Sequence, residues 1–444
     1  MKRRTLLAGG AALAAAPLLP ARAQGAKTHI VFWHAMTGAL GDQVAKLVNG
    51  FNASQNAVEV EAVYKGGYAD LLNATIAAYR AGQAPHIAQI FEVGTGTMLS
   101  AGKAVKLVAD LIKEYGAPIH PDAYIPAVRG YYSLADGRMA SMPFNSSTAI
   151  MWINRDAFRK AGLDPDKPPV TWDEAQKAAE AIKAKQAAEI PMISSWFSWI
   201  QLEQFSAIHN LPFASEENGF EGLNAKLEFN GKGQVGHIQR LLDMGKAGTF
   251  VYAGRDNVPD PILVGGKAGI AFNSSGERGD LVKSAKFDFG AAYLPYDPKI
   301  IKSPLNSIIG GASLWTMTAP SRTAAEYKAV GQFFGYLGTP ENVAQWAEAT
   351  GYVPVTVPGG DVMQKDGFFA KNKGADIPVK QLERGKMTPN SRGLRLGRLP
   401  EIRNIIYEEV EKAFQGQQDA QQALDNAVER GNAVLRAFER SVHA

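Results

Sequence analysis

The sequence contains no cysteine among its 444 residues. A disulfide framework and a lipid-modified N-terminal cysteine are therefore both excluded. The chain also lacks the H-E-x-x-H motif of zinc peptidases, the phosphate-binding P-loop and the G-x-S-x-G motif of a nucleophile elbow. Its seven histidines are not clustered as metal ligands are. We therefore expect a protein that is not an enzyme and that has no cofactor and no metal site.

Carboxylates and glycines give no positive sign of catalysis either. Glu92, Asp110 and Glu203 could exchange protons with a substrate, but no spacing singles out an acid/base pair. The segment Gly94-Thr95-Gly96 has two glycines of a dinucleotide-binding loop and lacks the third. An enzyme remains only as a minor alternative.

The surface of the chain has little excess of either charge. The formal net charge is +4, and four basic residues lie within the first 23 positions, at Lys2, Arg3, Arg4 and Arg22. Without them, the basic side chains equal the 43 acidic ones in number. Nucleic acids and anionic membranes bind surfaces with a basic excess. We therefore expect a small molecule or a protein as the partner.

Residues 1–23 have the pattern of an export signal. A basic start is followed by the apolar run Leu6–Leu19 and by the A-x-A motif Ala21-Arg22-Ala23. The apolar run is shorter than the ~20 residues that span a bilayer, so a membrane anchor is disfavoured. We predict a signal peptide cleaved after Ala23 and a periplasmic protein. The pair Arg3-Arg4 fits both the twin-arginine and the general secretory route, so the export route stays open.

The first part of the mature chain alternates between strand and helix patterns. Strands are predicted at 28–33, 57–64 and 86–93, and helices at 41–52 and 71–81. This order indicates an α/β fold with a parallel sheet. Ligands of such sheets bind at the carboxyl ends of the strands, where the chain has Trp33-His34, Tyr64 to Tyr68 and Glu92.

The segment 143–174 joins a polar turn to a buried strand and then to a helix. Asn145, Ser146 and Ser147 precede the apolar run Thr148–Asn154, and Thr171 with Glu174 forms a capping box. This order resembles the hinge crossing of extracytoplasmic solute-binding proteins of ABC transporters. The resemblance implies the type II periplasmic binding protein fold, in which a cleft separates two lobes.

Further crossings between the lobes are predicted near 290–293 and 311–313. Two glycines, Gly310-Gly311, interrupt an apolar strand there, which indicates close approach by a backbone or a ligand. The predicted division is a first α/β lobe of residues 24–144 with 293–311, and a second α/β lobe of residues 145–292 with 312–444. At 444 residues, two domains are the expectation.

Many segments across the mature chain are similar to those of the periplasmic sn-glycerol-3-phosphate-binding proteins of ABC importers. They are FWHAM, YKGGY, FEVGTGTM, RGYYS, PFNSST, WIQLEQFSA, LPFAS, GGASLW, TGYVP, GLRLG and ALDNAVERGN. This resemblance implies a ligand pocket made of Tyr68, Glu92, Ser147, Ser274, Gly311, Tyr352 and Arg395, with Trp196 and Trp199 as one wall.

The chemistry of these residues suits a glycerol phosphate. A guanidinium binds phosphate through two parallel hydrogen bonds, and Arg395 is flanked by two leucines, which favours an inward side chain. Glu92 would accept hydrogen bonds from glycerol hydroxyls. Trp196 and Trp199 would pack on the glycerol carbons. In the family that the chain resembles, the first tryptophan lies where the substituent of a diester would pass, so the resemblance implies that a large indole at Trp196 favours the monoester.

The predicted function is a periplasmic receptor that captures sn-glycerol 3-phosphate, or a glycerophosphodiester such as glycerophosphocholine, and delivers it to the membrane permease. We expect a monomer. One alternative is a receptor for an oligosaccharide, because sugars also stack on tryptophan. The minor alternative is a periplasmic phosphodiester hydrolase.

Overall fold

The computed structural model describes residues 27–443. The predicted signal peptide and its cleavage site lie outside the described residues. In chain order the strands are β1 (Thr28–His34), β2 (Val58–Tyr64), β3 (Ile87–Phe91), β4 (Val105–Lys106), β5 (Met142–Ser147), β6 (Ala149–Asn154), β7 (Ile190–Ser194), β8 (Ala268–Ser274), β9 (Phe289–Ala292) and β10 (Gly310–Met317).

Nineteen α-helices connect these strands within the described residues. They are α1 (Gly38–Ser54), α2 (Tyr68–Arg80), α3 (Thr95–Leu99), α4 (Val108–Tyr115), α5 (Pro126–Tyr131), α6 (Arg155–Ala161), α7 (Trp172–Ala184), α8 (Phe205–Ile208), α9 (Ser215–Gly219), α10 (Lys232–Lys246), α11 (Asp260–Val264), α12 (Arg278–Ser284), α13 (Ala324–Leu337), α14 (Pro340–Thr350), α15 (Val357–Lys365), α16 (Phe368–Lys371), α17 (Ile377–Leu382), α18 (Leu399–Phe414) and α19 (Ala420–His443). The segment Ser198–Gln204 is a π-helix.

The first lobe is built on a mixed sheet with the strand order β2-β1-β3-β10-β4, and β5 also pairs with β10. Strand β1 is parallel to β2 and β3, as the sequence predicts, while β10 runs antiparallel to β3. The carboxyl ends of β1, β2 and β3 therefore lie at one edge of the sheet. That edge faces the second lobe.

The second lobe is built on the sheet β7-β8-β6-β9. The chain enters it at Thr148, because β5 belongs to the first sheet and β6 to the second. The predicted strand after Thr148 is confirmed, and every residue of β6 is buried. The capping box is also confirmed: the Thr171 hydroxyl accepts from the N–H of Glu174 at 3.3 Å, and the Glu174 carboxylate accepts from the N–H of Thr171 at 3.0 Å.

The division between lobes after residue 292 differs from the predicted one. Residues 312–317 continue β10 in the first sheet, paired with β3, and α13 packs in the same core as β1. The sequence places everything after 311 in the second lobe. The glycine pair suggested a crossing there, whereas it lies at the start of a strand that pairs with β5. The chain crosses between β9 and β10, within residues 293–309, which agrees with the crossing predicted near 290–293 and not with the one predicted near 311–313.

Helix α18, which precedes the C-terminal helix α19, joins the two lobes. One buried apolar cluster contains Ile90 and Phe91 of β3, Met151 of β6, and Ile402 and Ile406 of α18. A charged side chain on this helix can therefore reach groups of both lobes. No helix within residues 27–443 combines the length and the apolar character that crossing a bilayer requires.

Candidate functional site

A cavity of about 180 Å³ lies between the two lobes at the carboxyl ends of the first-lobe strands. The loop after β1 contributes Ala35, Met36 and Thr37, and the residues that follow β2 and β3 contribute Tyr68 and Glu92. The second-lobe side is lined from the end of β8, from the π-helix and from α11 and α12. The cavity therefore lies at the carboxyl ends of the parallel strands, where the sequence predicted the ligand to bind.

Eight of the nine predicted site residues line this cavity. They are Tyr68, Glu92, Ser147, Trp196, Trp199, Ser274, Gly311 and Tyr352. Their roles toward a ligand remain predictions. Trp33 and His34 are not among the lining residues; the Lys65 ammonium lies 4.3 Å from the Trp33 ring, and His34 is buried.

Tyr68 and Tyr352 present neutral hydroxyl groups to the cavity. Tyr68 stacks on Phe91 with ring centroids 5.3 Å apart, and its hydroxyl accepts from the side-chain amide of Asn145 at 2.8 Å. Asn145 is itself fixed by Gln89, which donates to it at 2.9 Å. Burial raises the pKa of Tyr68, and burial raises that of Tyr352 to about 12. Both hydroxyls therefore keep their protons at neutral pH.

The glycine pair lets other groups approach the strand closely. Gly311 has φ +85°, and a Cβ built there would lie 1.7 Å from the carbonyl oxygen of Asn145. A Cβ on Gly310 would lie 2.3 Å from the Trp199 ring. The predicted approach of a backbone is therefore found at Gly311, whereas the group that approaches Gly310 is a side-chain ring and not a ligand.

Ser274 and Ser147 place hydroxyl groups at strand ends. The Ser274 hydroxyl accepts from the N–H of Gly276 at 3.1 Å, so its own proton is available to another acceptor. Ser147 is the last residue of β5 and is buried beside the crossing between the lobes. Hydroxyl groups from both sheets therefore line the cavity.

The two tryptophans are held by irregular backbone. Trp196 has φ +47°, a conformation that costs a bulky residue about 1 to 3 kcal/mol. The backbone N–H of Trp196 donates to the backbone carbonyl of Asp256 at 2.7 Å. Trp199 lies in the π-helix, and its indole N–H is buried without a hydrogen-bond partner among the described residues.

Arg403 is the cavity residue that the sequence analysis missed. Its Nε and Nη2 atoms donate to the two carboxylate oxygens of Glu203, each at 2.7 Å, and Nη2 also donates to Glu92 at 2.9 Å. The Arg403 side chain is 5% exposed. Burial raises the pKa of Glu92 to about 7, although Arg403 lowers it. The Nη1 atom makes no hydrogen bond to the described residues.

The sequence does contain a signal for Arg403. In α18, Leu399, Arg403, Ile406 and Val410 recur at helical spacing along one buried stripe. An arginine in the middle of an apolar stripe is rare unless it is paired. The sequence analysis assigned phosphate binding to Arg395 instead, which lies in the arginine-rich segment 392–398 before the helix.

Arg395 lies outside the cavity, which corrects its predicted position. Its Nη2 donates to the carbonyls of Gly130 and Ser133, each at 2.7 Å, and also to that of Tyr131. Its guanidinium stacks 4.4 Å from the ring of Phe220. Arg395 does face inward between its leucines, but its donors bind backbone of the first lobe. The geometry therefore favours Arg395 as a contact between lobes.

An acidic group on the second-lobe side was also missed. Asn257, Asp260, Glu277 and Asp280 all line the cavity. They come from two short segments, 257–260 and 277–280, and no local pattern in the sequence connects one segment with the other. Among the described residues, no three His, Asp or Glu side chains are grouped as metal ligands.

Comparison with known proteins gives the family. The model of the bacterial extracellular solute-binding protein family matches residues 46–366. The chain is 46% identical over 433 residues to the sn-glycerol-3-phosphate-binding periplasmic protein UgpB of Pectobacterium atrosepticum, covering 97% of this chain and 96% of that one. This chain belongs to the bacterial extracellular solute-binding protein family.

One further relative and two solved structures are also similar to this chain. UgpB of Escherichia coli K12 is 45% identical over 417 residues, which is 94% of each chain. The solved structure of UgpB from Mycobacterium tuberculosis in complex with glycerophosphocholine has a TM-score of 0.78 at 20% identity, covering 93% of this chain and 99% of that chain. Maltose-bound MalE3 of T. maritima has a TM-score of 0.75 at 16% identity, covering 91% and 98%. These structures confirm the two-lobe fold.

The raised pKa of Glu92 predicts a pH-dependent stability of the ligand-free protein. The folded state keeps this proton up to about pH 7, whereas an unfolded chain releases it near 4.5, so the folded state binds more protons between these values. The free energy of unfolding should therefore fall as pH rises through this window. As pH rises through this window, the free energy of unfolding of the Glu92→Gln variant should increase relative to that of wild type by on the order of 2 kcal/mol.

Denaturant unfolding of both proteins at several pH values between 4.5 and 7 measures this difference. The exposed residue Glu59 provides the matched control, Glu59→Gln, which removes a carboxylate outside the cavity. Parallel pH profiles for wild type and Glu92→Gln would contradict the assignment.

Proposed function

We propose that this protein is the periplasmic receptor of an ABC importer, that it captures sn-glycerol 3-phosphate or a related glycerophosphodiester, and that it delivers the ligand to the membrane permease. The names of the 45–46% identical relatives support this ligand class. The protein binds its ligand without converting it. The signal sequence predicted from residues 1–23 supports the periplasmic location.

The observation that carries the proposal is the position of Arg403 in the cavity. Its guanidinium is held by Glu203 and Glu92, which leaves Nη1 as a charge-assisted donor for a phosphate oxygen. The hydroxyls of Ser147 and Ser274 and the backbone of Gly311 line the same cavity. A phosphate can thus receive donors from both lobes.

Glu92 suits the glycerol end of the same ligand. A carboxylate repels phosphate, but its pKa of about 7 lets Glu92 keep a proton near neutral pH. Protonated or not, it can hydrogen-bond a glycerol hydroxyl. Trp196 and Trp199 would cover the glycerol carbons and exclude water.

Ligand binding across the cavity would hold the lobes together. Glu92 and Tyr68 belong to the first lobe, whereas Trp199 and Ser274 belong to the second. A ligand that contacts both sets stabilises the closed arrangement, which is a hinge closure. The permease would then meet the closed form.

An oligosaccharide is the second candidate ligand. Maltose-bound structures share this fold, but at such low identity the likeness shows the fold alone. Two tryptophans in the cavity are compatible with a sugar. The buried arginine and the hydroxyl donors favour a phosphate ester.

A ligand panel tests the proposal. A ligand that binds only the folded state raises the free energy of unfolding, by about 2.7 kcal/mol at a hundredfold excess over Kd. We expect sn-glycerol 3-phosphate to raise the melting temperature strongly, and maltose and inorganic phosphate to leave it unchanged. If the Trp196 ring restricts the pocket, glycerophosphocholine should raise the melting temperature less than sn-glycerol 3-phosphate does. A shift with maltose alone would overturn the phosphate assignment, and conversion of the recovered ester would show a hydrolase.

Arg403→Lys should weaken sn-glycerol 3-phosphate binding by about 10- to 100-fold, because lysine keeps the charge but loses the planar fork of donors. Isothermal titration measures the change. The matched control is Arg395→Lys, which should lower stability and leave affinity within about threefold. If Arg395→Lys instead causes the larger loss of affinity, the phosphate site lies at Arg395, as the sequence alone predicted.

A further inference from the structure

Two buried amide side chains connect the backbone of the first lobe to the Tyr68 hydroxyl, and we call this pair, Gln89 and Asn145, the amide relay. Gln89 lies in β3 and Asn145 in β5, and both are fully buried. Neither is among the residues that line the cavity, whereas Tyr68 is. The relay can therefore act on a ligand through the hydroxyl that it orients.

The direction of the hydrogen bonds in the amide relay is fixed at its backbone end. The N–H of Ala35, in the loop after β1, donates to the side-chain oxygen of Gln89 at 2.9 Å. Because a backbone N–H can only donate, Gln89 must turn its oxygen toward Ala35 and its NH2 group toward Asn145. That NH2 group donates to the Asn145 oxygen at 2.9 Å. The NH2 group of Asn145 then donates to the Tyr68 oxygen at 2.8 Å.

The opposite orientation of either amide would leave buried groups without partners. A reversed Gln89 would set its NH2 group against the Ala35 N–H, and a reversed Asn145 would set its NH2 group against that of Gln89. Two donors cannot bond each other, and an unpaired buried donor is strongly unfavourable. The relay therefore has a single hydrogen-bond direction, which ends on the Tyr68 oxygen.

The Tyr68 hydroxyl must consequently donate away from Asn145. Two directions remain for its proton, the cavity and the neighbouring hydroxyl of Tyr352. Burial raises the pKa of Tyr352 to about 12, while hydrogen bonding to Asn145 and Tyr68 lowers it. The two neutral hydroxyls carry two protons, and only one proton can lie between their oxygens. At least one tyrosine proton is therefore left for a ligand in the cavity.

This proton lies beside groups that the proposed function assigns to the phosphate. Asn145 and Ser147 are two positions apart on β5, and residues two apart in a strand point to the same face. Gly311 pairs with Ser146 of the same strand. A fixed donor favours an anionic acceptor, because such hydrogen bonds are about twice as strong as neutral ones.

We propose that Gln89 and Asn145 are positioning residues of the ligand site, which commit a tyrosine proton to the cavity and so require a hydrogen-bond acceptor, here a phosphate oxygen, opposite Tyr68. This inference rests on the proposed function, because it assumes that the ligand is a phosphate ester. A glycerol hydroxyl can donate or accept and needs no such commitment. The relay therefore contributes specificity for the phosphate without contacting it.

A double-mutant cycle between Asn145 and Tyr68 tests the relay. In Asn145→Asp the ionised carboxylate can only accept, so the Tyr68 proton would turn toward it and away from the cavity. Isothermal titration with sn-glycerol 3-phosphate at about pH 8 measures the affinity. The loss of affinity should be about tenfold larger in the wild-type background than in the Tyr68→Phe background. Charge repulsion and lost packing act in both backgrounds, so equal losses would overturn the inference.

Asn145→Leu is the neutral variant for the same cycle. Leucine has nearly the shape of asparagine but no donor and no ionisable group, so an introduced acid that keeps its proton cannot affect the result. The Tyr68 hydroxyl is then free to turn, and we expect about threefold weaker binding in the wild-type background and no change in the Tyr68→Phe background. If neither Asn145 variant is coupled to Tyr68, the relay has no role in binding.

Ser141→Ala is the matched control. The Ser141 hydroxyl donates to that of Ser313 in β10 at 2.8 Å, and both side chains are buried in the first lobe. Neither residue lines the cavity. The substitution should lower the free energy of unfolding and leave the affinity unchanged.

Neutron diffraction from wild-type crystals tests the same assignment should the Asn145 variants fail to fold. This measurement locates deuterium atoms. We expect those of the Gln89 amide toward Asn145, those of the Asn145 amide toward Tyr68, and that of the Tyr68 hydroxyl toward the cavity or Tyr352. A Tyr68 deuterium directed at Asn145 would contradict the inference.

Failure of this inference is distinguishable from failure of the proposed function. If the wild-type protein binds no phosphate ester, the proposed function fails and the inference with it. If it binds sn-glycerol 3-phosphate but the cycles show no coupling to Tyr68, the function stands, and Gln89 and Asn145 only support packing.

Discussion

The arrangement of the site depends on one buried ion pair network, in which the Arg403 guanidinium contacts Glu203 and Glu92. A charge buried this deeply is tolerated only when it is paired, and removing a partner typically costs 3–5 kcal/mol. Because Glu92 follows a first-lobe strand and Glu203 lies in the second-lobe π-helix, the network fixes both lobes against α18. Two acids for one base also explain why one carboxyl can keep its proton near neutral pH.

The rest of the cavity follows from strand ends and from close packing. Parallel strands end at one edge of the first sheet, which brings Tyr68 and Glu92 together although 24 positions separate them. Gly310 and Gly311 allow the Trp199 ring and the Asn145 carbonyl to approach the strand within distances that any side chain would prevent. These two approaches hold the second-lobe aromatic wall against the first sheet. In this arrangement of the two lobes, close packing therefore positions the cavity walls that a ligand would contact.

Much of this architecture could be predicted from local sequence. Local patterns predicted β1, β2 and β3 of the first sheet, and Thr171 with Glu174 marked a helix start, because these signals depend on neighbouring residues only. The predicted polar turn at 145–147 is the end of strand β5 instead. The end of β10 was placed in the wrong lobe because strand pairing with β3 depends on residues more than 200 positions away. The acidic residues Asp260, Glu277 and Asp280 were not predicted to share the cavity for the same reason, since they come from two segments that only the fold brings together.

Arg395 and Arg403 show the limit most clearly. The flanking leucines correctly indicated that the Arg395 side chain points inward. However, no local pattern predicts which group an inward arginine will contact. In the structure, backbone carbonyls of the first lobe accept hydrogen bonds from Arg395. The helical stripe through Arg403 indicated a buried charge that needs partners, which Glu203 and Glu92 supply from elsewhere in the chain. Where a resemblance assigns a role, the three-dimensional surroundings decide which of two nearby arginines can perform it.

The most direct test of the central claim is a crystal structure of the protein with sn-glycerol 3-phosphate. The account predicts the phosphate within hydrogen-bond distance of the Arg403 guanidinium, with the glycerol between Glu92 and the two tryptophans. A phosphate bound at Arg395, or a ligand outside the cavity between the lobes, would contradict it.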